Sequence, residues 1–302
     1  MTPDEPSSTR DPGTLYIVST PIGNMGDFSF RAVEVLRSAS VVLAEDTRHS
    51  RALLDRYDIG TRMSSYHEHN EAKVTPRLVE RLRAGEDIAL ITDAGTPLLS
   101  DPGERLVRAA IDAGISIVPV PGASALLPAL VASGLPADCF TFFGFLPRRG
   151  KERAGVLDAI ASSRHTAVLY EAPGRVADSL RDLADRAGGE RAAVVAREMT
   201  KQFEEFRRGT LEALCAYYTD APPRGEVVIV IAGAAPAVPD EAALSGDARA
   251  LRASGLSVRD VAAELASRGV PRNVAYRLAR AAEIGDATSA TGAESVADVD
   301  DV

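Results

Sequence analysis

Short runs of β-branched residues alternate with helical-period segments from Thr14 to Gly134, and this alternation limits the fold more than any other feature. The pattern is typical of βα units around a mostly parallel sheet. Between the runs, apolar residues recur three and four positions apart, as they do in one-sided helices. We therefore predict five βα units, with strands at Leu15–Ser19, Val41–Ala44, Met63–Tyr66, Ile88–Thr92 and Ile115–Val120.

A second series begins at Phe140, after a boundary at Gly134-Leu135-Pro136. Helices are predicted near Arg153–Ala161 and Val176–Ala187, whereas periodicity leaves open whether 203–225 adds an edge strand and one helix. The predicted strands are Phe140–Phe145, Ala167–Tyr170, Ala193–Ala196 and Val227–Ala232. The sequence thus predicts two consecutive α/β domains, over residues 14–134 and 135–234.

A helical module follows an Ala/Pro linker at 234–239. Two apolar-periodic segments interrupted at Gly269-Val270-Pro271 predict a helix-turn-helix-like pair within 245–284. Residues 245–282 carry seven arginines against three acids, which an RNA-docking role explains better than dimer packing, although no aromatic stacking platform accompanies them. The compositions of 1–13 and 287–302 predict disordered tails, the second of them acidic.

Composition narrows the classes of protein that this chain can belong to. Its 302 residues are 45% hydrophobic and 25% charged, a globular balance. Two cysteines exclude a disulfide framework and lack zinc-site spacing, so we expect no metal and a cytoplasmic location. No signal peptide and no apolar run of membrane-spanning length is evident. The formal net charge of −9 is concentrated in the two tails, so local basic patches remain possible.

Three loops that follow predicted strands combine glycine with proline. Glycine lets a ligand approach the backbone, and proline fixes the direction of the chain. Neither a G-x-G-x-x-G nor a G-x-x-x-x-G-K-[ST] motif is present, which disfavours a nicotinamide enzyme and a P-loop NTPase. The three loops are Thr20–Asn24, Asp93–Gly103 and Pro121–Ala125. Because ligands of open α/β sheets bind at this edge, we expect the loops to form a ligand site.

These loops and several other segments resemble the ribosomal RNA small subunit methyltransferase I family of the tetrapyrrole methylase-like superfamily. The matching segments are Ser19–Asn24, Glu45–Arg48, Thr92–Gly103, Pro121–Ala125, Tyr170–Pro173, Arg197–Lys201 and Gly225–Val227. The resemblance runs from about Leu15 to Gly233, and the helical pair resembles the family's C-terminal extension.

The resemblance implies S-adenosylmethionine bound in a cleft between two α/β domains of a homodimer. It further implies methylation of the ribose 2′-oxygen of a cytidine in the decoding region of 16S rRNA, with the rRNA as part of the small ribosomal subunit. The residues expected to line the cofactor are Pro21, Ile22, Gly95, Thr96, Leu98, Leu99, Ser124, Ala125 and Tyr170. Tetrapyrrole methylases have Gly-Asp-Pro where this chain has Gly95-Thr96-Pro97, so an acidic contact is missing or is supplied by Asp93 or Asp101.

Methyl transfer to a hydroxyl requires alignment of oxygen, carbon and sulfur, and a 2′-hydroxyl is a poor acid. Lys201 is the first catalytic candidate, because a partly desolvated lysine can accept a proton or steady the alkoxide. Asp46 is the rival base. Two structural alternatives stay open: Lys201 pairs with Glu204, and Asp46 pairs with Arg48 or caps a helix that starts near His49.

Basic residues are candidates for contact with RNA phosphates. These are Arg48, Arg148, Arg149 and Lys151, together with Arg175, which keeps its place in the family's Tyr-Glu-Ser-Pro-His-Arg pattern while Ala172 and Gly174 replace the serine and the histidine. The segment 67–70, His-Glu-His-Asn, is interpreted as a polar loop and not as a metal site. Methylation of a small tetrapyrrole and a non-catalytic ribosome-binding role remain the alternative functions.

Overall fold

The computed structural model describes residues 11–235 and 241–287. The chain forms two compact units, which divide between Ala235 and Pro236. Two five-stranded sheets lie in the first unit, and the described residues of the second unit are helical. The predicted α/β fold class is therefore confirmed for the larger unit.

The first sheet is parallel throughout, with the strand order β3-β2-β4-β1-β5. Its strands are β1 (Thr14–Val18), β2 (Val41–Ala44), β3 (Met63–Ser65), β4 (Ile88–Leu90) and β5 (Ser116–Val120). The helices that follow them are α1 (Phe30–Ser38), α2 (Thr47–Arg56), α3 (Glu71–Arg83), α4 (Glu104–Asp112) and α5 (Leu126–Ser133). The five predicted βα units are present, with strand ends that differ by one or two residues.

Helices cover both faces of this sheet, as its apolar strands require. Leu36 of α1 and Leu54 of α2 pack in the cluster on one face, and Leu82 of α3 and Leu106 of α4 pack in the cluster on the other. All four side chains are fully buried, and each such burial stabilises the fold by roughly 1.5–3 kcal/mol. The order of the strands reverses between β4 and β1, so the loops that follow these two strands lie side by side.

The second sheet is mixed, with the order β6-β7-β10-β8-β9. Strands β6 and β7 are parallel, whereas β10 runs antiparallel to both of its neighbours and β9 runs antiparallel to β8. The strands are β6 (Phe140–Phe145), β7 (Thr166–Glu171), β8 (Ala192–Arg197), β9 (Glu205–Thr210) and β10 (Val227–Ile231). The helices are α6 (Gly150–Ser162), α7 (Val176–Ala187) and α8 (Leu211–Asp220). The segment that periodicity left open contains β9 and α8.

Helix α5 connects the two sheets physically. Helices α6, α7 and α8 cover one face of the second sheet, while α5 packs on the opposite face through Ala129 and Leu130. These residues contact Val168 of β7 and Val228 and Val230 of β10 within one buried cluster. The strand alternation therefore fixes which side of the second sheet faces the first half of the chain.

The second unit differs from the predicted helical pair. Its described residues form three helices, α9 (Glu241–Ala253), α10 (Val258–Ser267) and α11 (Arg272–Ala287), around one apolar cluster. The prediction missed α9 and began the module four residues late, because Ala-rich sequence beside prolines suggested a linker. The turn after α10 contains Gly269 at φ +89°, and α11 exposes Arg272 and Tyr276.

The predicted tails fall largely outside the described residues. The exception at the start is Gly13, whose backbone N–H donates to Leu82 O at 2.7 Å, so ordered contacts begin before β1. At the other end, α11 includes Ala287. None of the described helices is both long and apolar enough to cross a membrane.

Candidate active site

The loops after β1, β4 and β5 are fastened to one another. Thr20 and Gly95 exchange both backbone hydrogen bonds, at 2.8 and 3.0 Å. The hydroxyl of Thr96 donates to Ala123 O at 3.1 Å and lies 3.0 Å from the Ser19 hydroxyl. The three loops that the sequence singled out therefore form one rigid edge.

A cavity of about 470 Å³ opens between this edge and the second sheet, and we call it the cleft. Its first wall consists of residues that follow β1, β2, β4 and β5. Its second wall consists of residues at the ends of β6 and β7, after β8, and at the start of β10. A volume of this size lies within the range of small-molecule sites. The cleft between two α/β halves has the position that the sequence predicted.

Six of the nine residues expected to line the cofactor do line the cleft: Ile22, Gly95, Thr96, Leu99, Ala125 and Tyr170. Of the other three, Pro21 is buried and Leu98 packs against the apolar cluster around α3 and α4. Ser124 is buried beside Ala125 and faces the Tyr170 hydroxyl. Burial raises the pKa of Tyr170, whereas its hydrogen bond with Ser124 lowers it.

Lys201 packs against the loop after β1 and lies beside the cleft, next to the lining residue Glu226, but it does not itself line the cleft. A Cβ on Gly23 would lie 2.5 Å from Lys201 Cγ, so only glycine lets the lysine pass over the loop after β1. Its Nζ donates to Glu198 Oε1 at 3.0 Å and to Glu226 Oε2 at 3.2 Å. The predicted ion pair between Lys201 and Glu204 is wrong, because the Glu204 carboxylate instead accepts from the Thr200 backbone N–H at 2.7 Å.

The environment of Lys201 keeps the side chain cationic. Burial lowers the pKa of Lys201, but the hydrogen bonds and charges of Glu198 and Glu226 outweigh burial, and the net pKa is raised. Of the two roles that the sequence suggested, steadying a developing negative charge fits this geometry better than accepting a proton.

Asp46 caps helix α2. Its Oδ1 accepts from the backbone N–H groups of Arg48 at 2.8 Å and of His49 at 3.4 Å, and the helix begins at Thr47. These backbone hydrogen bonds, that of Arg48 first, lower the pKa of Asp46. The side chain does not line the cleft. The capping alternative therefore describes Asp46, and a carboxylate so stabilised is a poor proton acceptor.

Three other carboxylates line the first wall: Glu45 after β2, and Asp93 and Asp101 in the loop after β4. The Asp46 backbone N–H donates to Asp93 Oδ1 at 3.3 Å. Burial, together with the charges of Glu45 and Asp93, raises the pKa of Asp101 to about 6, although a hydrogen bond with Thr92 lowers it. Burial also raises the pKa of Glu45.

The residues expected to contact RNA differ in how firmly other residues of the protein hold their side chains. Arg48 is 93% exposed and lies 3.7 Å from Asp46, while Arg148, Arg149 and Lys151 are exposed at the start of α6. Arg175 is held instead by Leu146 O at 2.6 Å and by Glu171 Oε1 at 3.3 Å. Arg175 therefore fixes the end of β7 and has less freedom to reach a phosphate.

The His67 loop is polar, as predicted. The Asn70 side chain accepts from the His67 backbone N–H at 3.0 Å and donates to Ser65 O at 3.1 Å. Within residues 11–235 and 241–287, no group of histidine, cysteine or acidic side chains is arranged to hold a metal ion.

Several residues of the cleft escaped the sequence analysis. Glu45 stood beside Asp46 in a quoted segment, and its position directly after β2 was the available signal. Phe145 reaches the cleft because the register of β6 against β7 shifts between Phe142 and Phe145, where Gly144 has φ +61°. Such a bulge redirects a side chain without leaving a clear sequence pattern.

Comparison with known proteins gives matches over most of the chain. The family Tetrapyrrole (Corrin/Porphyrin) Methylases matches residues 14–215. The Ribosomal RNA small subunit methyltransferase I of Synechocystis sp. is 46% identical over 270 residues, covering 88% of this chain and 97% of that protein. The protein of the same name from Pseudomonas aeruginosa is 47% identical over 276 residues, covering 88% and 96%.

Solved structures share the fold at low identity. Diphthine synthase aligns with a TM-score of 0.58 at 18% identity, covering 73% of this chain and 90% of that one. The uroporphyrin-III-C-methyltransferase of Thermus thermophilus aligns with a TM-score of 0.52 at 24% identity, covering 72% and 94%. The family match and the relatives confirm the predicted fold class and the expected methyl donor, S-adenosylmethionine. The chain belongs to the tetrapyrrole methylase family.

Proposed function

We propose that this chain transfers a methyl group from S-adenosylmethionine to the ribose 2′-hydroxyl of a cytidine in the decoding region of bacterial 16S rRNA. The observation that carries the proposal is the cleft, which is lined by the segments that resemble the rRNA methyltransferase family. Relatives named for small-subunit rRNA methylation align over almost their whole length. The cytidine and the 2′-oxygen come from the resemblance.

The cleft suits the methyl donor, which supplies a methyl group on a positively charged sulfur. Ile22, Leu99 and Met199 offer apolar surface to a nucleoside. Gly95 has φ +88°, and a Cβ there would meet no protein atom closer than 3.5 Å. A methyl group at this position would therefore occupy space left for a ligand.

Lys201 and Asp46 keep separate roles in this proposal. Lys201 holds its positive charge at the rim, where it pairs with Glu226 of the second wall and steadies negative charge on the substrate oxygen. Asp46 positions Arg48 by starting α2 at Thr47. Asp46 thus serves the site as a helix cap.

The rRNA contacts on either rim are Arg48 and the group Arg148, Arg149 and Lys151. These side chains are exposed, and no hydrogen bond or ion pair engages the latter three within the part of the chain that the structure describes. Guanidinium groups free of internal partners are available to phosphates. Arg175 contributes indirectly, by holding the loop after β7.

The proposed partner is 16S rRNA within the small ribosomal subunit, and the proposed assembly is a homodimer in the cytoplasm. Leu127 and Val131 of α5 are exposed apolar residues, 51% and 71% accessible, that a second copy would cover. Light scattering of the purified chain at micromolar concentration tests the dimer, which predicts twice the mass of 31.8 kDa.

The test of function uses 30S subunits from cells that lack this activity, incubated with the protein and methyl-labelled S-adenosylmethionine. Nucleoside mass spectrometry should show 2′-O-methylcytidine. Label on a base, or on no RNA, contradicts the proposal. Transfer to a small tetrapyrrole supports the alternative methylase, and the absence of cofactor binding supports a non-catalytic role.

A further inference from the structure

The first wall presents carboxylates that no cation offsets. Glu45, Asp93 and Asp101 all line the cleft, and no lysine or arginine of the described residues forms an ion pair with any of them. A group of partly buried acids with no paired cation costs stability, since neighbouring carboxylates disfavour one another's ionisation. Such an arrangement persists where a site needs it.

The backbone that carries Asp101 is held in an unusual conformation. Leu98 and Ser100 have φ of +74° and +73°, which non-glycine residues rarely adopt. Leu98 closes over Gly103, where a Cβ would lie 2.7 Å from Leu90 Cδ2 and 3.1 Å from Leu98 Cδ1. The loop is thus locked onto the core, and it holds Asp101 partly buried at the cleft. Strain of this kind concentrates at functional sites.

Transfer to a hydroxyl must also dispose of a proton. Lys201 is already protonated and paired with two carboxylates, so it cannot accept the proton. Asp46 is stabilised as a carboxylate by two backbone N–H groups and lies outside the cleft lining. Neither residue suggested by the sequence is suited to act as the base.

We propose that Asp101 is the proton acceptor of the methyl transfer, an assignment that rests on the proposed 2′-O-methylation. The 2′-oxygen forms a bond to the methyl carbon while the methyl–sulfur bond breaks and its electron pair stays on sulfur. The hydroxyl proton passes to the Asp101 carboxylate and then to water. The products are the 2′-O-methyl ribose, a neutral thioether and the regenerated carboxylate.

The groups around Asp101 suit this role. Burial first, and then the charges of Glu45 and Asp93, raise its pKa to about 6 against the lowering effect of a hydrogen bond with Thr92, and Tyr170 faces it from β7. A carboxylate with this pKa is still ionised at neutral pH, yet it is a stronger base than an ordinary aspartate. The charged groups that in turn face Glu45 are Asp93, His67, Asp46 and Glu68.

The experiment measures single-turnover methylation of 30S subunits by the full-length protein at saturating S-adenosylmethionine. Asp101→Asn should lower the rate by about 10²-fold or more, the usual contribution of a positioned base. The wild-type rate should rise with pH up to about 6 and then level off, because the ionised carboxylate is the active form. The variant should lose this dependence, and Asp101→Glu should retain part of the rate and the dependence.

Asp112→Asn supplies the matched control, since Asp112 is exposed in the last turn of α4 and should keep the wild-type rate and pH profile. An independent readout is carbon-13 NMR of aspartate-labelled protein, in which one carboxyl should titrate near pH 6 and be absent from Asp101→Asn. A rate within threefold of wild type in Asp101→Asn, or no such resonance, overturns the assignment. Wild-type protein that methylates no rRNA overturns the proposed function as well, whereas wild-type transfer with an unaffected variant overturns the assignment alone.

Discussion

Both walls of the cleft carry acidic side chains, but the two sets differ in whether cations pair with them. On the second wall, Glu226 pairs with Lys201, as does Glu198 behind it, and the pKa of Glu198 is lowered, first through its hydrogen bond to Lys201. Glu171 is fully buried and bonded to Ser179 Oγ at 2.5 Å and Arg175 Nε at 3.3 Å. On the first wall the pKa values of Glu45 and Asp101 are raised, chiefly by burial, and no lysine or arginine of the described residues pairs with either.

The difference separates acids that build the site from acids that are free to react. A carboxylate matched by a cation and hydrogen bonds stabilises the fold through its charge and resists protonation. An unmatched carboxylate costs stability and takes up a proton more readily. The five predictions below sharpen this comparison and, apart from the contrasting variant Asp101→Asn, run from the largest expected effect to the smallest.

Glu171→Gln should lower the free energy of unfolding by about 2 kcal/mol, because it removes the charge that Arg175 and Ser179 bond in a buried position. Chemical denaturation followed by circular dichroism measures the loss. The control Glu80→Gln removes an exposed partner of Arg83 and should cost under about 0.5 kcal/mol.

The contrasting change, Asp101→Asn, should not reduce stability. The pKa of Asp101 is about 6 in the folded protein and 3.8 in its usual state. The protonated carboxyl therefore stabilises the fold fully below pH 3.8, and this contribution is lost as the pH rises through 6. The variant should therefore be at least as stable as wild type at pH 8. Equal losses in Glu171→Gln and Asp101→Asn would abolish the distinction between the walls.

Lys201→Met removes the cation of the second wall and leaves Glu198 and Glu226 unmatched. The single-turnover rate should fall about tenfold, the value of one charge-assisted hydrogen bond. Lys201→Arg should recover much of the rate because it keeps the charge. If Lys201→Met instead loses the pH dependence assigned to Asp101, the lysine is the proton acceptor and Asp101 is not.

Gly95→Ala tests whether the loop after β4 contacts the cofactor in the cleft. No protein atom would lie within 3.5 Å of the added methyl, so the fold should survive with a strain of roughly 1 kcal/mol at φ +88°. Affinity for S-adenosylmethionine, measured by calorimetry, should fall at least about tenfold because the methyl meets the ligand. The larger change Gly95→Val adds backbone strain and tests binding less cleanly. Unchanged affinity removes Gly95 from the cofactor site.

The rims should contribute least per residue. Arg48→Gln on one rim and Arg149→Gln on the other should each reduce the slope of log affinity for rRNA against log salt by roughly one unit, without changing cofactor affinity. Arg83→Gln is the control, since the end of α3 lies at the opposite edge of the first sheet. A slope that changes on one rim only would place the RNA on that wall alone.

Much of this architecture could be predicted because it follows from local patterns. The bounds of β2 and β6 agree with the prediction residue for residue, and the three Gly/Pro loops do meet at one edge. Helix α9 was missed because its Ala-rich sequence carries a weak apolar stripe beside prolines. The strand β10 was predicted, but its antiparallel direction was not, since a buried strand has the same apolar run in either direction.

The chemistry of the cleft was harder to predict than its position. The sequence suggests that Lys201 or Asp46 can accept a proton, but the hydrogen-bond partners of each side chain determine its pKa. Glu226 is 25 residues beyond Lys201, and no local pattern joins them. The raised pKa of Asp101 depends on burial and on Glu45, which lies 56 residues earlier in the chain. Tertiary contacts of this range set proton affinity.

The most direct measurement is mass spectrometry of 16S rRNA from a strain in which this gene is deleted. We expect one 2′-O-methylcytidine in the decoding region to disappear, to return with the wild-type gene, and to stay absent or strongly reduced with Asp101→Asn. An unchanged set of methylated nucleotides in the deletion strain would contradict the proposed function.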